Sequence, residues 1–277
     1  MSTDKTIRIV QALREAFPNF SRTQAEKLIR SGKVLVNGKL ARFGSRVADN
    51  AKISLVDTAT KLMPNAKLSC RLLRQTKDFL FLEKPSGMHS IALDFDETNS
   101  VANWLISVDV AQAELDPLEA GLVHRLDFET SGVMVAAKNA TAKKILEKSF
   151  REHRIRKEYT CLVDKPLKPG LYRAYAGKNP KSDKKIHIQE RASQKLTSLR
   201  TEILSITKAS AGFLVRVNLI TGYRHQIRAH LALLGSPIRG DKLYGGAKAE
   251  RLYLHAQILE FNNSRGQKLL VQSEYCF

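Results

Sequence analysis

Two stretches of this 277-residue chain gather side chains that could do chemistry together. The first is GLVHRLDFETSGVMVAAK, residues 121–138. It places His124, Arg125 and Asp127 where a buried strand is expected to leave the core, with Ser131-Gly132 opening the next strand. Strand ends and loops on a rigid sheet are where reactive groups are held accurately. Read locally, the same residues also suit an Arg–Asp ion pair that closes a turn. The second stretch is LITGYRHQIRAHLALLGSPIRGDKLYGG, residues 219–246. Gly222 breaks a strand, and a helix then opens with Arg224, His225, Gln226 and Arg228 near its positive end. Helix dipole and guanidinium together would hold a carboxylate or a phosphate. A carboxylate paired in this way stays ionised, as a nucleophile requires. A third candidate is Tyr159 in RKEYTCLV: its ring can stack on an extruded base and its hydroxyl can exchange a proton. The plain alternative is a core aromatic in a strand. His225 and His230 do not share a helix face, so both read as hydrogen-bonding structural residues, and no metal-ligand spacing is evident.

The elements that must position these groups follow from periodicity. Phe79–Leu82 is a short apolar strand closed by Lys84-Pro85-Ser86-Gly87, and Leu122-Val123 leads into HRLD. Val133, Val135 and Ala137 alternate as a strand, 141–153 reads as a helix, and 159–163 as a buried strand. Phe213, Val215, Val217 and Leu219 share one strand face. Ile227, Leu231 and Leu234 form a helical stripe that Gly235 and Pro237 end. Strands joined by loops with few helices predict an α+β domain around a largely antiparallel mixed sheet, over residues 76–277. Residues 177–187, GKNPKSDKKIH, read as a basic loop facing RNA.

Ahead of this domain, residues 1–57 read as a small α/β-hairpin module, with 58–75 as a linker marked by Thr58, Thr60, Pro64 and Asn65. A helix is expected over 6–17, with Ile9, Leu13 and Phe17 inward and a break at Pro18-Asn19. A capping box of Ser21 and Gln24 opens a second helix over 22–31, with Ala25, Leu28 and Ile29 inward and Gly32 after its end. Val34–Val36, Asn37-Gly38 and Lys39-Leu40 then carry the strongest short hairpin signal. Arg22, Lys27, Arg30, Lys33 and Lys39 lie on the second helix and hairpin, where they could track a phosphate backbone.

Charge points the same way. The chain carries 46 Lys and Arg against 27 Asp and Glu, a net +19. Such a surplus attracts a polyanion, and phosphate contacts supply most non-specific affinity for nucleic acid. No basic amphipathic helix or long apolar run suggests a membrane. The first residues, MSTDKTIRIVQ, lack the apolar core and cleavage site of a signal peptide. Cys70, Cys161 and Cys276 are widely spaced and read as small core or surface residues. Neither disulfides nor a zinc site is expected, which fits a reducing cytoplasm.

The N-terminal helix–turn–helix–hairpin, ending in LIRSGKVLVNGK, resembles the RNA-binding module first seen in ribosomal protein S-four. Ile7-Arg8-Ile9-Val10 departs from the usual Arg-Leu-Asp opening. HRLD followed by TSG, then Lys-x-Tyr, then TG-x-x-HQIR with GDKLYG, resembles the RluA-type pseudouridine synthases over roughly residues 76–277. The resemblance implies uridine isomerisation in RNA without metal or diffusible cofactor. Asp127 matches the catalytic aspartate, Tyr159 the active-site tyrosine, and Arg228 the arginine paired with the aspartate. Arg125 matches the arginine that enters the RNA stack as the uridine leaves, and Ile227 would form an apolar floor under the base. His124, Gln226 and Arg224 are further substrate-binding candidates. Tyr223 stands where the family usually has arginine, so Arg224 is expected to take a phosphate contact. Large-subunit ribosomal RNA is the expected partner, with tRNA as an alternative, and a monomer is the default. The rivals are a non-catalytic ribosome assembly factor and a metal-dependent nuclease, which would need clustered carboxylates.

Overall fold

The computed structural model describes residues 6–18, 20–56, 62–109, 115–116, 118–275 and 277. They fall into two compact units, one drawn from Met1–Leu68 with Ile91–Gly121, the other from Ser69–Ser90 with Leu122–Phe277. In the first unit, β1 (Thr6–Arg8) precedes α1 (Ile9–Ala16), so the first helix starts three residues later than its pattern predicts. Residues 6–8 are extended because they have a partner: β1 pairs antiparallel with β4 (Arg46–Ala48), Ile7 opposite Val47. Ile9 and Leu13 are buried as their spacing requires. Pro18 lies in a turn, and Asn19 lies outside the described residues. Ser21 caps α2 (Arg22–Arg30) through the expected box with Gln24, and Ala25, Leu28 and Ile29 face inward. β2 (Val34–Val36) and β3 (Lys39–Leu40) form the hairpin, with β5 (Ile53–Leu55) on the other side of β2. Asn37 and Gly38 both adopt positive φ, which gives the turn a twist matching its strands. The unit also holds α3 (Val101–Val108), whose Asn103 amide donates to Met63 O and Glu97 O.

The second unit is one ten-stranded sheet, in the order β11-β10-β12-β13-β9-β14-β8-β7-β6 with β15 added on β14. Its elements are β6 (Arg71–Gln75), β7 (Phe79–Lys84), β8 (Ser131–Ala137), α4 (Ala140–Arg151), β9 (Arg156–Val163), β10 (Gly170–Lys178), β11 (Ile186–Gln189), β12 (Thr197–Ala209), β13 (Gly212–Leu219), α5 (Gln226–Leu233), β14 (Leu254–Asn262) and β15 (Lys268–Gln272). Pairing is antiparallel except between β14 and β8, where His255 and Ala256 run parallel to Ser131 and Gly132. A Cβ on Gly132 would stand 2.3 Å from Ala256 O, so this close approach requires glycine. All seven residues of β8 are buried, as befits a strand covered on both faces. Phe79, Phe81, Val135, Leu146, Leu259 and Phe261 pack into one core beneath α4.

Two expectations need correction here. Residues 57–61 lie outside the described residues, but Arg71–Gln75, assigned to a linker, is β6 and pairs with β7. It is a largely exposed edge strand, so it carries no apolar alternation to betray it. The run into HRLD is not a strand: Leu122 makes an isolated bridge to Ala136, and 123–127 are irregular. Cys70 and Cys161 are free thiols, and Cys276 lies outside the described residues.

Candidate active site

Asp127 sits on a turn that its neighbours clamp from several sides. Just before it, Ser90 Oγ donates to Leu126 O at 2.9 Å and accepts from Leu126 N–H at 3.0 Å. The turn closes with Thr130 N–H donating to Asp127 O at 3.1 Å. Phe128 O accepts from Gly87 N–H, Met88 N–H and Lys84 Nζ at 2.9, 3.2 and 3.1 Å, and Ser86 Oγ donates to Glu129 O at 2.6 Å. The Lys84-Pro85-Ser86-Gly87 loop at the end of β7 therefore holds the Asp127 turn rigid. Lys84 is wholly buried, and its three N–H donors meet the carbonyls of Pro85, Met88 and Phe128. Burial presses its pKa down to about 7, while the charge of Asp127 pulls it upward.

Arg228, in the first turn of α5, faces this turn. Its Nε and Nη2 donate to Asp241 at 2.8 and 2.9 Å, Nη2 also reaches Glu129 at 3.1 Å, and Nη1 lies 3.5 Å from Asp127 Oδ2. Asp241 is thus the bidentate partner, and Asp127 is a looser one than the expected pairing. Asp241 is wholly buried and needs a full complement of donors, which Leu243 N–H and Tyr244 N–H complete. Burial works to lower the Arg228 pKa, but the bonds to Asp241 and the charges of Asp241, Asp127 and Glu129 outweigh it, and the guanidinium stays charged. One cation thus faces three carboxylates. Of these, Asp241 is sealed, whereas the Asp127 side chain is 23% exposed and reachable.

The remaining wall comes from His225, Tyr244 and Tyr159. His225 precedes α5 in the left-handed conformation, with its Nε2 3.9 Å from Asp127 Oδ1 and its Nδ1 3.1 Å from Tyr244 Oη. Burial lowers its pKa against the opposing pull of Asp127, which favours the neutral ring. The Tyr244 hydroxyl accepts from Ile186 N–H at 3.0 Å. Tyr159 is buried on β9 between Val217 and Ala256, and burial together with the Asp127 charge raises its pKa, so the phenol keeps its proton. Ile227 is buried beside Arg228, while Arg125 is exposed.

Several expected contacts are committed elsewhere. Gln226 is buried: its Oε1 accepts from Thr221 Oγ1 and Tyr223 N–H, and its Nε2 donates to Arg200 O and Thr201 Oγ1. It pins the start of α5 to β12 and cannot bind substrate at the same time. His124 stacks on Phe150 at 4.7 Å, and its Nε2 accepts from Val135 N–H at 3.1 Å. Burial holds its pKa down to about 3, so it is a neutral packing residue. Arg224 donates to Asp183 O at 2.8 Å and Lys184 O at 3.0 Å, which clasps the basic loop instead of leaving a free guanidinium. On the N-terminal module, Lys27 donates to Leu93 O at 2.5 Å, and Lys33 pairs with Asp96 at 2.8 Å and Asp94 at 3.7 Å. Arg22 pairs with Glu26, Arg30 lies 3.4 Å over the exposed Phe43 ring, and Lys39 is exposed. Of the five residues, Arg22, Lys27, Arg30 and Lys39 are exposed, whereas Lys33 is part-buried beside its carboxylates. His225, Tyr244, Asp241, Glu129 and Lys84 were not singled out as site residues. GDKLYG carried the signal for Asp241 and Tyr244, and the KPSG strand closure for Lys84.

Among the described residues no group of three or more His, Cys, Asp or Glu is arranged to hold a metal ion. The family model described as RNA pseudouridylate synthase matches residues 78–233, and that of the S4 domain residues 7–53. A ribosomal large subunit pseudouridine synthase D from Xylella fastidiosa is 31% identical over 276 residues, covering 92% of this chain and 81% of that protein. An uncharacterized RNA pseudouridine synthase from Aquifex aeolicus is 31% identical over 248 residues, covering 86% and 77%. The solved structure of human RNA pseudouridylate synthase domain containing 4 shares the fold at a TM-score of 0.58 and 23% identity, covering 74% of this chain and 88% of that one.

Proposed function

The chain belongs to the RNA pseudouridylate synthase family, and we propose that Asp127 is the carboxylate with which it isomerises uridine in large-subunit ribosomal RNA. It is an RNA pseudouridine synthase with an S4 domain. One observation carries the choice of Asp127. It is the accessible carboxylate whose charge is felt at once by Tyr159, His225, Arg228 and Lys84. Glu129 touches Arg228 only from the rim, and Asp241 is sealed.

In this reading the target uridine leaves its stack, at a cost of a few kcal/mol, and the exposed Arg125 fills the gap. Asp127 then attacks the sugar or abstracts a sugar proton. In either case the C1′–N1 bond breaks, the uracil turns, and C1′ bonds to C5. If Asp127 attacked the sugar, C5 displaces its oxygen from C1′; if it took a sugar proton, that proton returns to the same carbon. The C5 proton leaves and N1 gains one, so atoms and charge balance without a redox step or diffusible cofactor. Arg228 Nη1 lies 3.5 Å from Asp127 Oδ2, while Asp241 and Glu129 share the same guanidinium. Tyr159 stacks on the base and, with its proton retained, donates rather than accepts. Ile227 lies beneath the ring.

The ribosomal target rests on the relatives named for the large subunit, and the N-terminal module supports a structured RNA. Arg22, Lys27, Arg30 and Lys39 are the exposed phosphate contacts on it, with the 178–186 loop as a second basic surface. We assign binding to residues 1–57 and chemistry to 76–277, in a monomer acting in the cytoplasm. No helix among the described residues is long and apolar enough to cross a membrane.

The test is carbodiimide primer extension on ribosomal and transfer RNA transcripts treated with the protein and its Asp127→Asn variant. A stop made by the wild type and missing with the variant supports the assignment and locates the uridine. Turnover by Asp127→Asn comparable to wild type removes it, and a stop on tRNA instead of ribosomal RNA overturns the substrate.

A further inference from the structure

The residue after Asp127 is Phe128, and it is 46% exposed. Leaving a phenyl ring in water forgoes the burial that usually places such a side chain. A loop tip could avoid this by shifting its backbone to carry the ring inward, yet here the backbone is held. Phe128 O is fixed by three donors, from Gly87, Met88 and Lys84, and Thr130 N–H closes the turn behind it. Glu129, one residue on, is drawn to Arg228 at 3.1 Å. The turn is therefore built to present Phe128 outward while Asp127 and Glu129 face the guanidinium. On the Phe128 ring lies His89, with centroids 4.7 Å apart and planes at 50°. Arg125, two residues before Asp127, is exposed on the same segment.

An exposed aromatic on a rigid loop, in a strongly basic protein that acts on RNA, has a defined chemical use. Every base has a π-face, and stacking on an aromatic side chain is how unpaired bases are gripped without reading their edges. A uridine that leaves its stack also leaves a neighbour with one uncovered face. We propose that Phe128, backed by His89, is a stacking platform for the nucleotide adjacent to the target uridine. It thereby helps to select sites whose flanking base can unstack. The inference rests on Asp127 marking where the target uridine reacts.

Two short single-stranded RNAs test it, each with one uridine flanked by 2-aminopurine, on the 5′ side in one and the 3′ side in the other. Fluorescence is read at saturation, with saturation fixed by anisotropy. Wild-type protein quenches one of the two probes. Phe128→Ala loses most of that quench and binds the probe about tenfold more weakly. Phe128→Trp restores both, and His89→Ala shows a smaller loss, about two- to threefold. Phe128 is solvent-exposed, so an unchanged melting temperature should accompany the Ala variant and exclude misfolding. Equal quenching by wild type and Phe128→Ala overturns the proposal, as does no quenching of either probe by the wild type. Asp127→Asn separates the two readings: it should quench as the wild type does while making no pseudouridine. If it still makes pseudouridine, the catalytic assignment fails.

Discussion

Two buried ionic centres in the second unit have opposite surpluses. At one, Arg228 is enclosed and faces Asp241, Glu129 and Asp127. At the other, Glu158 on β9 is enclosed and faces Arg156 and Arg216, with Arg156 also reaching Glu260. The surplus cations around Glu158 sit on strand residues about half-exposed, where solvent screens them and Glu260 offsets part of the Arg156 charge. The surplus anion around Arg228 is on a clamped turn beside a protonated tyrosine. A buried ion wants one good partner, and what is left over decides the use. Around Glu158 the remainder is exposed cationic charge, whereas around Arg228 it is the carboxylate we propose as catalytic.

Removing that remainder should have the largest effect. Asp127→Asn is expected to lower turnover by roughly 10³-fold or more, with RNA affinity within a few-fold of wild type, as read by primer extension and filter binding. Asp241→Asn comes next, because it leaves Arg228 short of its bidentate partner. Turnover should fall by about 10²-fold and stability by about 3–5 kcal/mol in denaturant melts. Glu158→Gln sharpens the contrast. It should destabilise by about 1–3 kcal/mol, yet leave turnover per folded molecule within about twofold. A large turnover defect there would break the distinction between the centres.

How far the site could be read beforehand follows the same division. Asp127, Arg228 and Tyr159 were singled out through the motifs that carry the family resemblance, and in the structure Arg228 Nη1 lies 3.5 Å from Asp127 while the Asp127 charge reaches buried Tyr159. Asp241 and Lys84 were harder, because their partners lie 13 residues away in the chain for the Asp241–Arg228 bond and 44 for the Lys84–Phe128 bond. Gln226 lies between His225 and Arg228 in the chain, yet helical geometry turns its side chain toward β12, which the local run of residues could not show. The capping box, the hairpin and the main strands were legible from local pattern. β6 was not, since an exposed edge strand has little apolar alternation.

Acid offers a gentler separation. Burial lowers His124 to about 3 and His230 and His255 to about 4, all below the usual value near 6.5. The unfolded chain therefore binds more protons as pH drops, so stability present above pH 6.5 is lost between 6.5 and 4. Each histidine contributes at most about 1.4 kcal/mol per pH unit. Thermal melts should show this slope, and His230→Gln should reduce it by about one proton. The smallest effect expected is that of Arg224→Ala, which frees the loop at Asp183 and Lys184 and should raise KM for RNA a few-fold with kcat unchanged.

The parallel pairing of β14 with β8 has a consequence for how the enzyme comes into being. β14 lies between β8 and β9, so both keep an unpaired edge until residues 254–262 have been synthesised. Contacts spanning so much chain form late and slowly. The Asp127 turn leads directly into β8, and Tyr159 sits on β9. A nascent chain that already carries Asp127, Tyr159 and Arg228, the groups we propose as catalytic, is therefore expected to be inactive on the ribosome, with activity appearing only as β14 is added.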